Sequence, residues 1–475
     1  VPTMKQKDTI RQNAFQENDI VSMVSKVTKY AVTVFDVHDL KFHLGKALYL
    51  AREGRPGPVL IDLPHNIQKE TLDFEFEKNF VQEDQGAVCG TSSIEQIIDL
   101  FTNAYRPLII VGGGIQSTLE KAYVNQLLDA WDVPVVSTLR GLDVVSHNRR
   151  NYIGFGGAYG NRSANFAIKY SDLILVLGSR LDERFICSGD NNCFLKKNII
   201  HVDVDEVELG RVVNENISLK CTVKHFLSKL FDYGISKLSY EKWMRVLQSW
   251  SVRYPSVTDD WTINKAVYEL TNKARNNSIV CLDIGINQMC AAQAMVLNGK
   301  QNCYTSAGHG AMGCALPMAI GAVYADRTKI VNCFIGDGAL HMNIQELLML
   351  AKNHLPVHII LNNNQCLGMI RDFQTKAFAS RFVGTVDELQ DIDYGEIARA
   401  YKLNYCKVKS MDDIMAAIRM IHEPKPCFIE LIFSEETDTM PKLGADMFNQ
   451  LPLLSECEKK QMEQEALLCG NIISW

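Results

Sequence analysis

The chain has 475 residues, of which 47% are apolar and 22% charged, so it is long enough for roughly three domains of about 150 residues each. Its formal net charge is −6 and its lysines and arginines are scattered, which excludes nucleic-acid binding through a basic surface. No stretch approaches the ~18 apolar residues of a membrane span, and residues 1–20 lack a signal-peptide core. We therefore expect a cytoplasmic globular protein with no nucleic-acid or membrane partner.

The cysteines agree with a reducing compartment. Fourteen are present, but none forms a C-x-x-C pair, and several lie singly in apolar runs, such as Cys281, Cys333 and Cys427. Single cysteines in apolar runs are typical of buried, reduced thiols and not of zinc sites or disulfides.

The first predicted segment, residues 1–75, is too short for a complete α/β domain. One or two helical patterns precede a short buried strand that prolines bracket, Pro58 to Pro64. Residues 76–95 are charged and irregular, which predicts a linker.

Residues 96–235 predict a central domain in which strands alternate with helices. Its apolar runs end in polar or glycine-rich turns, namely Gly112-Gly113-Gly114, Thr138-Leu139, Gly178 and Asp203. Strands alternating with helices predict a parallel sheet covered by helices.

Residues 236–262 predict a polar connecting helical segment with Trp243 and Trp250, and residues 263–435 predict another parallel α/β domain. The tail, residues 436–475, has a short helical pattern. The predicted fold class is therefore α/β, with parallel-sheet domains.

One strand–helix–strand unit carries the clearest chemical signal. An apolar run from Val331 to Ile335 leads into Gly336-Asp337-Gly338, and the next apolar run stops at Asn362-Asn363-Asn364. Asp337 and Asn364 lie 27 positions apart, enough for one crossover. Because the carboxyl ends of neighbouring parallel strands meet in one crevice, we expect these two residues to converge.

The convergence suits a hard divalent cation that carries a diphosphate. Carboxylate and amide oxygens are ligands for Mg²⁺, and glycines at a helix start leave backbone N–H groups free for phosphate. The alternative is that Asp337 caps a helix and the asparagines form a turn. The interval and the repeated asparagine favour the cation.

G-D-G followed at this interval by Asn-Asn resembles the fingerprint of thiamine diphosphate (ThDP) enzymes, and the surrounding residues resemble the acetolactate synthase branch. The resemblance covers nearly the whole chain to about residue 435. It implies a partial pyrimidine-binding domain, a central domain and a diphosphate-binding domain, assembled as a homodimer or tetramer.

The resemblance also implies a set of cofactor contacts. Mg²⁺ would be held by the Asp337 carboxylate, the Asn364 side-chain oxygen and the backbone carbonyl of Cys366, and Met369 would hold ThDP in its bent form. The remaining ThDP contacts would be Ile284, Gly285, Asn287, Gly310, Met312, Gly336, Gly338, Ala339 and Gly368. Phe15 and Gln16, in the segment Ala14-Phe15-Gln16-Glu17, are the catalytic-site residues implied in the first segment.

In the central domain, several loops resemble those that wrap FAD in acetolactate synthases. The corresponding residues are Arg55, Gly112, Gly113, Thr138, Leu139, Gly157, Gly178, Arg180, Asp182, Arg184 and Asp203. Glycines and an arginine at strand ends suit a dinucleotide pyrophosphate. The alternative is a central domain that serves as an empty scaffold.

The family's catalytic glutamate, which binds the aminopyrimidine, lies in the amino half of the pyrimidine domain, and no residue here matches it. Glu17 belongs to a different motif. Three explanations stay open: a fragment, a second polypeptide that supplies the rest, or a degenerate non-catalytic relative. The start at Val1, partway through a recognisable domain, favours the fragment.

The expected activity is therefore that of a ThDP- and Mg²⁺-dependent acetolactate synthase-like enzyme. Such an enzyme decarboxylates a 2-oxo acid, here pyruvate, and ligates the two-carbon unit to a second carbonyl. Departures from the pattern, such as His65 for lysine and Phe373 for tryptophan, favour relatives from carbohydrate biosynthesis. Carboligation onto a keto-sugar nucleotide, simple decarboxylation and a catalytically silent relative remain alternatives.

Overall fold

A computed structural model of the chain describes residues 17–71, 90–186, 194, 197–386, 392–446 and 448–470. The chain divides into two units, residues 1–88 and residues 89–475. Each unit is described by itself.

The first unit contains a parallel pair of short strands, β1 (Tyr30–Thr33) and β2 (Val59–Asp62). Pro58 and Pro64 bracket β2, as the sequence predicts, because proline interrupts backbone pairing. The helices of this unit are Ile20–Val24, Leu40–Arg52 and His65–Gln68. Its buried cluster contains Val34, Val37 and Ile67.

The first sheet of the second unit, the central sheet, is parallel. Among the described residues it has six strands, in the order β6-β5-β3-β7-β8-β9. Their bounds are β3 Pro107–Val111, β5 Val135–Ser137, β6 Tyr152–Phe155, β7 Leu173–Leu177, β8 Asn198–Asp203 and β9 Ile217–Lys220. Two-residue strands β4 (Trp131–Asp132) and β10 (Leu238–Ser239) pair beside it.

Helices cover both faces of the central sheet, which explains why its inner strands β3 and β7 are continuous apolar runs, whereas the edge strand β9 alternates buried and exposed residues. Those helices are Thr91–Asn103, Thr118–Ala130, Arg162–Tyr170, Glu183–Ile186 and Val223–Tyr233. Local sequence fixes their starts: Ser117 and Glu120 form a capping box before the second helix.

The second sheet, the C-terminal sheet, is also parallel and runs β12-β11-β13-β14-β16-β15 among the described residues. Its strands are β11 Ile279–Leu282, β12 Asn302–Thr305, β13 Val331–Gly336, β14 Val357–Asn363, β15 Asn404–Val408 and β16 Cys427–Ile432. Its helices are Ile263–Lys273, Ile286–Ala294, Ala315–Ala325, Asp337–Met342, Leu347–Asn353, Gly368–Ala377, Tyr394–Ala400 and Ile414–Met420.

Two further helices lie against the central domain. Helix Glu241–Arg253 buries Trp243 and Trp250 completely. Helix Glu456–Leu467, in the predicted tail, places Glu465 where it accepts hydrogen bonds from the indole of Trp250 at 2.6 Å and from Arg253 at 2.9 Å. The C-terminal segment is thereby attached to the central domain.

The predicted α/β class with parallel-sheet domains is confirmed. Over the described ranges, every helix is too short or too polar to cross a bilayer.

Candidate cofactor site

The carboxyl ends of β13 and β14 bring the two predicted metal ligands together. Gly336, the last residue of β13, lies opposite Asn362 in the register of the sheet. The backbone N–H of Asn364 donates to Asp337 Oδ2 at 3.1 Å. The carboxylate and the side chain of Asn364 therefore border the same crevice.

Asp337 is a buried carboxylate that is only 2% exposed. Burial raises its pKa to about 6, and backbone N–H groups of Gly338, Gln365, Asn364 and Cys366 oppose that rise. All of these donors are dipoles and none carries a full positive charge, so a bound cation would stabilise the ionised form strongly.

Each asparagine of the run that follows β14 has a different partner. Asn362 donates through Nδ2 to Asn287 Oδ1, and Asn363 Nδ2 donates to Glu430 at 2.7 Å. Asn364 Nδ2 donates to the Cys366 sulfur at 3.1 Å, so its side-chain oxygen faces away from that sulfur. The Asn363 oxygen accepts from Gln365 N–H and the buried Asn362 oxygen has no hydrogen-bond partner among the described residues, whereas Asn364 contacts Asp337 directly through its backbone N–H, which makes it the candidate ligand beside the carboxylate.

The turn after β14 carries the third predicted ligand and leads into the helix of Met369. Gln365 adopts a left-handed φ of 56°, and the Cys366 carbonyl accepts from Gly368 N–H at 3.0 Å. A carbonyl oxygen has two lone pairs, so this acceptor retains capacity for a metal ion.

The start of the helix that begins at Gly368 lies close to the helix Ile286–Ala294, so a side chain at this position would require Ile286 to move. A Cβ at this position would lie 2.4 Å from Ile286 Cδ1 and 3.1 Å from Asn364 Nδ2. Met369, the next residue, packs against the buried cluster between the sheet and that helix.

Lys442 contacts the helix Gly368–Ala377, which begins just before Met369. Its ammonium donates to Asp372 at 2.6 Å and also pairs with Asp438. This connects the helix of Met369 to the C-terminal segment.

Asp283, at the end of β11, organises the loop that carries Gly310 and Met312. Its fully buried carboxylate accepts from the backbone N–H groups of Gly313 at 2.9 Å and Ala315 at 2.8 Å. The sequence interpretation gave this residue no role. A lone acid directly after a buried strand was the available signal.

Several glycines of this edge border open space. A Cβ added at Gly285, Gly308 or Gly336 would meet no atom within 4 Å, and one at Gly310 would touch only Ile284 at 3.5 Å. Open space beside backbone N–H groups, a carboxylate and amide and carbonyl oxygens fits a diphosphate with its divalent cation. Gly338 and Ala339 lie in the first turn of the adjoining helix, and Asn287 Nδ2 donates to the carbonyls of Asp283 and Phe334.

The glycines of the central sheet have different surroundings. A Cβ at Gly112 would lie 2.3 Å from the Gly178 carbonyl, and one at Gly113 would lie 2.5 Å from Arg140 Cβ. A Cβ at Gly114 would lie 2.8 Å from Gly178 Cα, and Thr138 N–H donates to the Val111 carbonyl at 3.0 Å. Loop-to-loop packing therefore accounts for these glycines.

The charged residues of this edge contact the protein's own groups. Arg180 pairs with Asp182 at 3.1 Å and with Glu208 at 4.0 Å. Arg184 lies over the Tyr159 ring and contacts the Met289 sulfur at 3.8 Å. The remaining expected contacts are also internal: Asp203 accepts from Asp205 N–H, Gly157 N–H donates to Asn165, and Leu139 packs on the C-terminal core.

The structure does not place three of the predicted residues at the carboxyl ends of either sheet. Phe15 and Gln16 lie outside the described residues. Arg55 belongs to the first unit, where its carbonyl accepts from Lys29 Nζ at 3.0 Å.

Comparison with known families identifies two matching segments. Residues 94–230 match the central domain of thiamine pyrophosphate enzymes, and residues 283–431 match their C-terminal TPP binding domain. The second match contains Asp337, Asn364 and every strand of the C-terminal sheet except β11 and the last residue of β16.

Whole-chain relatives point to the same family. The chain is 30% identical over 442 residues to the acetolactate synthase isozyme 1 large subunit of Escherichia coli, covering 91% of this chain and 77% of that protein. It is 29% identical over 449 residues to the acetolactate synthase large subunit of Lactococcus lactis, covering 92% and 77%. It is also 30% identical over 455 residues to the chloroplastic acetolactate synthase 2 of Nicotiana tabacum, covering 91% and 68%.

Proposed function

The chain belongs to the thiamine pyrophosphate enzymes, in their acetolactate synthase-like branch, and from this premise we propose that it uses ThDP and Mg²⁺ to decarboxylate a 2-oxo acid and ligate the two-carbon unit to a second carbonyl. Pyruvate is the expected donor. The proposal includes a cytoplasmic homodimer or tetramer.

The observation that carries the proposal is the convergence of Asp337 and Asn364 at the ends of adjacent strands. Mg²⁺ would be held by the Asp337 carboxylate, the Asn364 side-chain oxygen and the Cys366 carbonyl, which is an all-oxygen set suited to a hard cation. The diphosphate would lie beside Gly285, Gly336 and Gly338, where the first two glycines leave open space.

The chain's own residues would position the reacting part of the cofactor. Met369 is partly buried at the start of its helix and would support the rings from one side. Gly310 and Met312 lie on the loop that Asp283 anchors, and their backbone groups would contact the rings of ThDP from the other side. Bound ThDP supplies the electron sink for decarboxylation, and the protein contributes orientation and electrostatics.

FAD is given no step in this proposal. Neighbouring loops fill the space beside Gly112, Gly113 and Gly178. Arg180 and Arg184 already have partners within the protein. These observations favour the scaffold alternative for the central domain. Titration of the purified protein with FAD should leave flavin fluorescence unquenched, whereas a yellow protein with quenched flavin would restore the cofactor to the proposal.

Calorimetric titration with ThDP tests the cofactor assignment directly. Binding should require Mg²⁺, and chelation should reverse it. A protein that shows no heat of binding with Mg²⁺ present would refute the proposal.

Product analysis tests the reaction. The protein is purified as it occurs in the cell and incubated with pyruvate, ThDP and Mg²⁺. It should release CO₂ and form a 2-hydroxy-2-methyl acid or acyloin. Acetaldehyde alone would favour the decarboxylase alternative, and product formed only with a keto-sugar nucleotide would favour carbohydrate biosynthesis. Cofactor binding without CO₂ release from any 2-oxo acid would favour the silent relative.

A further inference from the structure

Glu430 is a buried carboxylate that the proposed function does not use. It lies within β16, is 1% exposed, and is the one charged residue of a strand that reads Cys427-Phe-Ile-Glu-Leu-Ile. Its oxygens accept hydrogen bonds from Asn363 Nδ2 at 2.7 Å and from the Tyr405 hydroxyl, and Lys407 Nζ lies 3.4 Å away.

Asn363 transmits this contact to the turn that carries the metal ligands. It is 3% exposed, and while its Nδ2 donates to Glu430, its Oδ1 accepts from the backbone N–H of Gln365 at 3.2 Å. Gln365 is the residue with the left-handed backbone, between Asn364 and Cys366. One amide therefore connects a core carboxylate to the middle of the turn.

Stability alone gives a weak reason for an acid at this position. Replacing buried charged groups by well-packed apolar residues is often neutral or stabilising, and the neighbouring side chains of β16 are apolar and fully buried, as Phe428, Ile429 and Leu431 are. The specific consequence of the carboxylate is the orientation of Asn363. Without an acceptor on β16, the Asn363 amide could rotate and release Gln365.

We propose that Glu430 is a positioning residue for the metal site, which acts through Asn363 to fix the turn that presents Asn364 and Cys366. This inference rests on the proposed function, since it assumes that these two residues hold Mg²⁺. It extends that function to a residue 64 positions beyond Cys366 that does not reach the crevice itself. Groups that orient metal ligands typically change metal affinity by about 10- to 100-fold when they are removed.

An exchange of the acid and the amide tests the proposal. Glu430→Met removes the acceptor on β16, Asn363→Asp places two carboxylates opposite each other, and the double variant Glu430→Gln with Asn363→Asp restores one acid and one amide. Mg²⁺ affinity of the complete protein is measured by calorimetry at saturating ThDP. Each single variant should bind Mg²⁺ about 10- to 100-fold more weakly, and the double variant should recover most of that loss.

Two matched controls separate this role from general stabilisation of the core. Tyr405→Phe and Lys407→Met remove the other partners of Glu430 and leave its contact with Asn363 intact. Both should keep Mg²⁺ affinity within about threefold of the wild type, because single contacts outside the orienting pair change little. Affinity lost equally in the controls and in Glu430→Met would overturn the proposal.

Amide exchange of residues 364–368 gives a readout that does not depend on bound cofactor. Exchange in this turn should be faster in both single variants and return to the wild-type rate in the double variant. Unchanged exchange in Glu430→Met overturns the inference even if the protein binds ThDP. If the wild type binds no ThDP, the proposed function fails, and faster exchange in the single variants still supports Glu430 as the residue that fixes the turn.

Discussion

The central sheet and the C-terminal sheet both carry glycine-rich loops at the carboxyl ends of their strands, but the space around these glycines differs between the two sheets. At the C-terminal sheet, Gly336 borders open space at an ordinary φ, and Gly285 also borders open space, although its φ of 106° favours glycine by itself. At the central sheet, Gly112 and Gly114 are so close to the loop of Gly178 that any side chain would collide with its backbone. Glycine at a strand end therefore has two physical meanings, ligand access and chain-to-chain contact, and the sequence pattern is the same for both.

The charged residues at the carboxyl ends of the two sheets also differ, namely in the partners that surround them. Arg180 and Asp182 of the central sheet form an ion pair, and His201 contacts the buried Glu215. Asp337 of the C-terminal sheet is surrounded by backbone N–H groups instead. The central edge is electrostatically satisfied by its own residues, whereas the C-terminal edge suits a cation from outside.

The largest effect is expected at Asp337. Asp337→Ala removes the only carboxylate among the proposed ligands, so Mg²⁺-dependent ThDP binding should weaken by more than about 100-fold, beyond the usual effect of an orienting group. Calorimetry measures the loss, and circular dichroism should show an intact fold. Asp326→Ala, at an exposed turn, is the control. Unchanged ThDP affinity in Asp337→Ala would remove the main difference between the two edges.

A pair of alanine substitutions tests the two meanings of glycine. Gly112→Ala should lower the free energy of unfolding by about 3 kcal/mol, because overpacking against a rigid backbone cannot be relieved by a rotamer change. Gly336→Ala, at φ −82°, should change it by less than about 0.5 kcal/mol and should weaken ThDP binding instead. Urea unfolding and calorimetry of both variants measure the two effects. Equal destabilisation would contradict the contrast.

His358, a buried histidine of the C-terminal sheet, predicts a loss of stability in acid. His358, on β14, contacts Asn332 and the Glu423 carbonyl, and burial lowers its pKa to about 4. The neutral form is therefore favoured in the folded state, so its stability contribution is complete above pH ~6.5 and is lost as the pH falls towards 4.

The test compares unfolding of the wild type and His358→Gln at pH 7 and pH 4.5. The wild type should lose roughly 2 to 3 kcal/mol through this group over that interval, and the variant should lose correspondingly less. His225→Gln, on a helix of the central domain, is the control. Identical pH slopes in the wild type and His358→Gln would show that His358 does not titrate as its surroundings indicate.

The sequence predicted those parts of the fold and site that depend on local pattern and chain direction. The apolar runs of β13 and β14, with the turn residues that follow them, were sufficient to predict that Asp337 and Asn364 meet. Their roles as metal ligands remain proposals.

Other features depend on contacts between distant segments. The packing of Gly112 on Gly178, the hydrogen bonds of Asp283 to Gly313 and Ala315, and the contact of Glu430 with Asn363 join positions between 30 and 67 residues apart. Composition and periodicity carry no information about such pairs. Glu430, for example, reads in the sequence as one polar residue in an apolar strand.

The smallest effect is expected at Cys366, where the proposed ligand is the backbone carbonyl and the thiol is an orienting group. Its sulfur accepts from Asn364 Nδ2 at 3.1 Å and thereby turns the Asn364 oxygen away from itself. Cys366→Ser keeps an acceptor at this position and should change Mg²⁺ affinity by less than about threefold. Cys366→Ala also loses the contact with the Glu435 carbonyl, but its loss of the hydrogen bond with Asn364, worth about 1 kcal/mol, should weaken binding about fivefold. Calorimetry with Mg²⁺ and ThDP resolves both changes. Abolished binding in Cys366→Ser would instead identify the sulfur as a ligand, which a hard cation disfavours, and would place a soft metal at the edge of the C-terminal sheet.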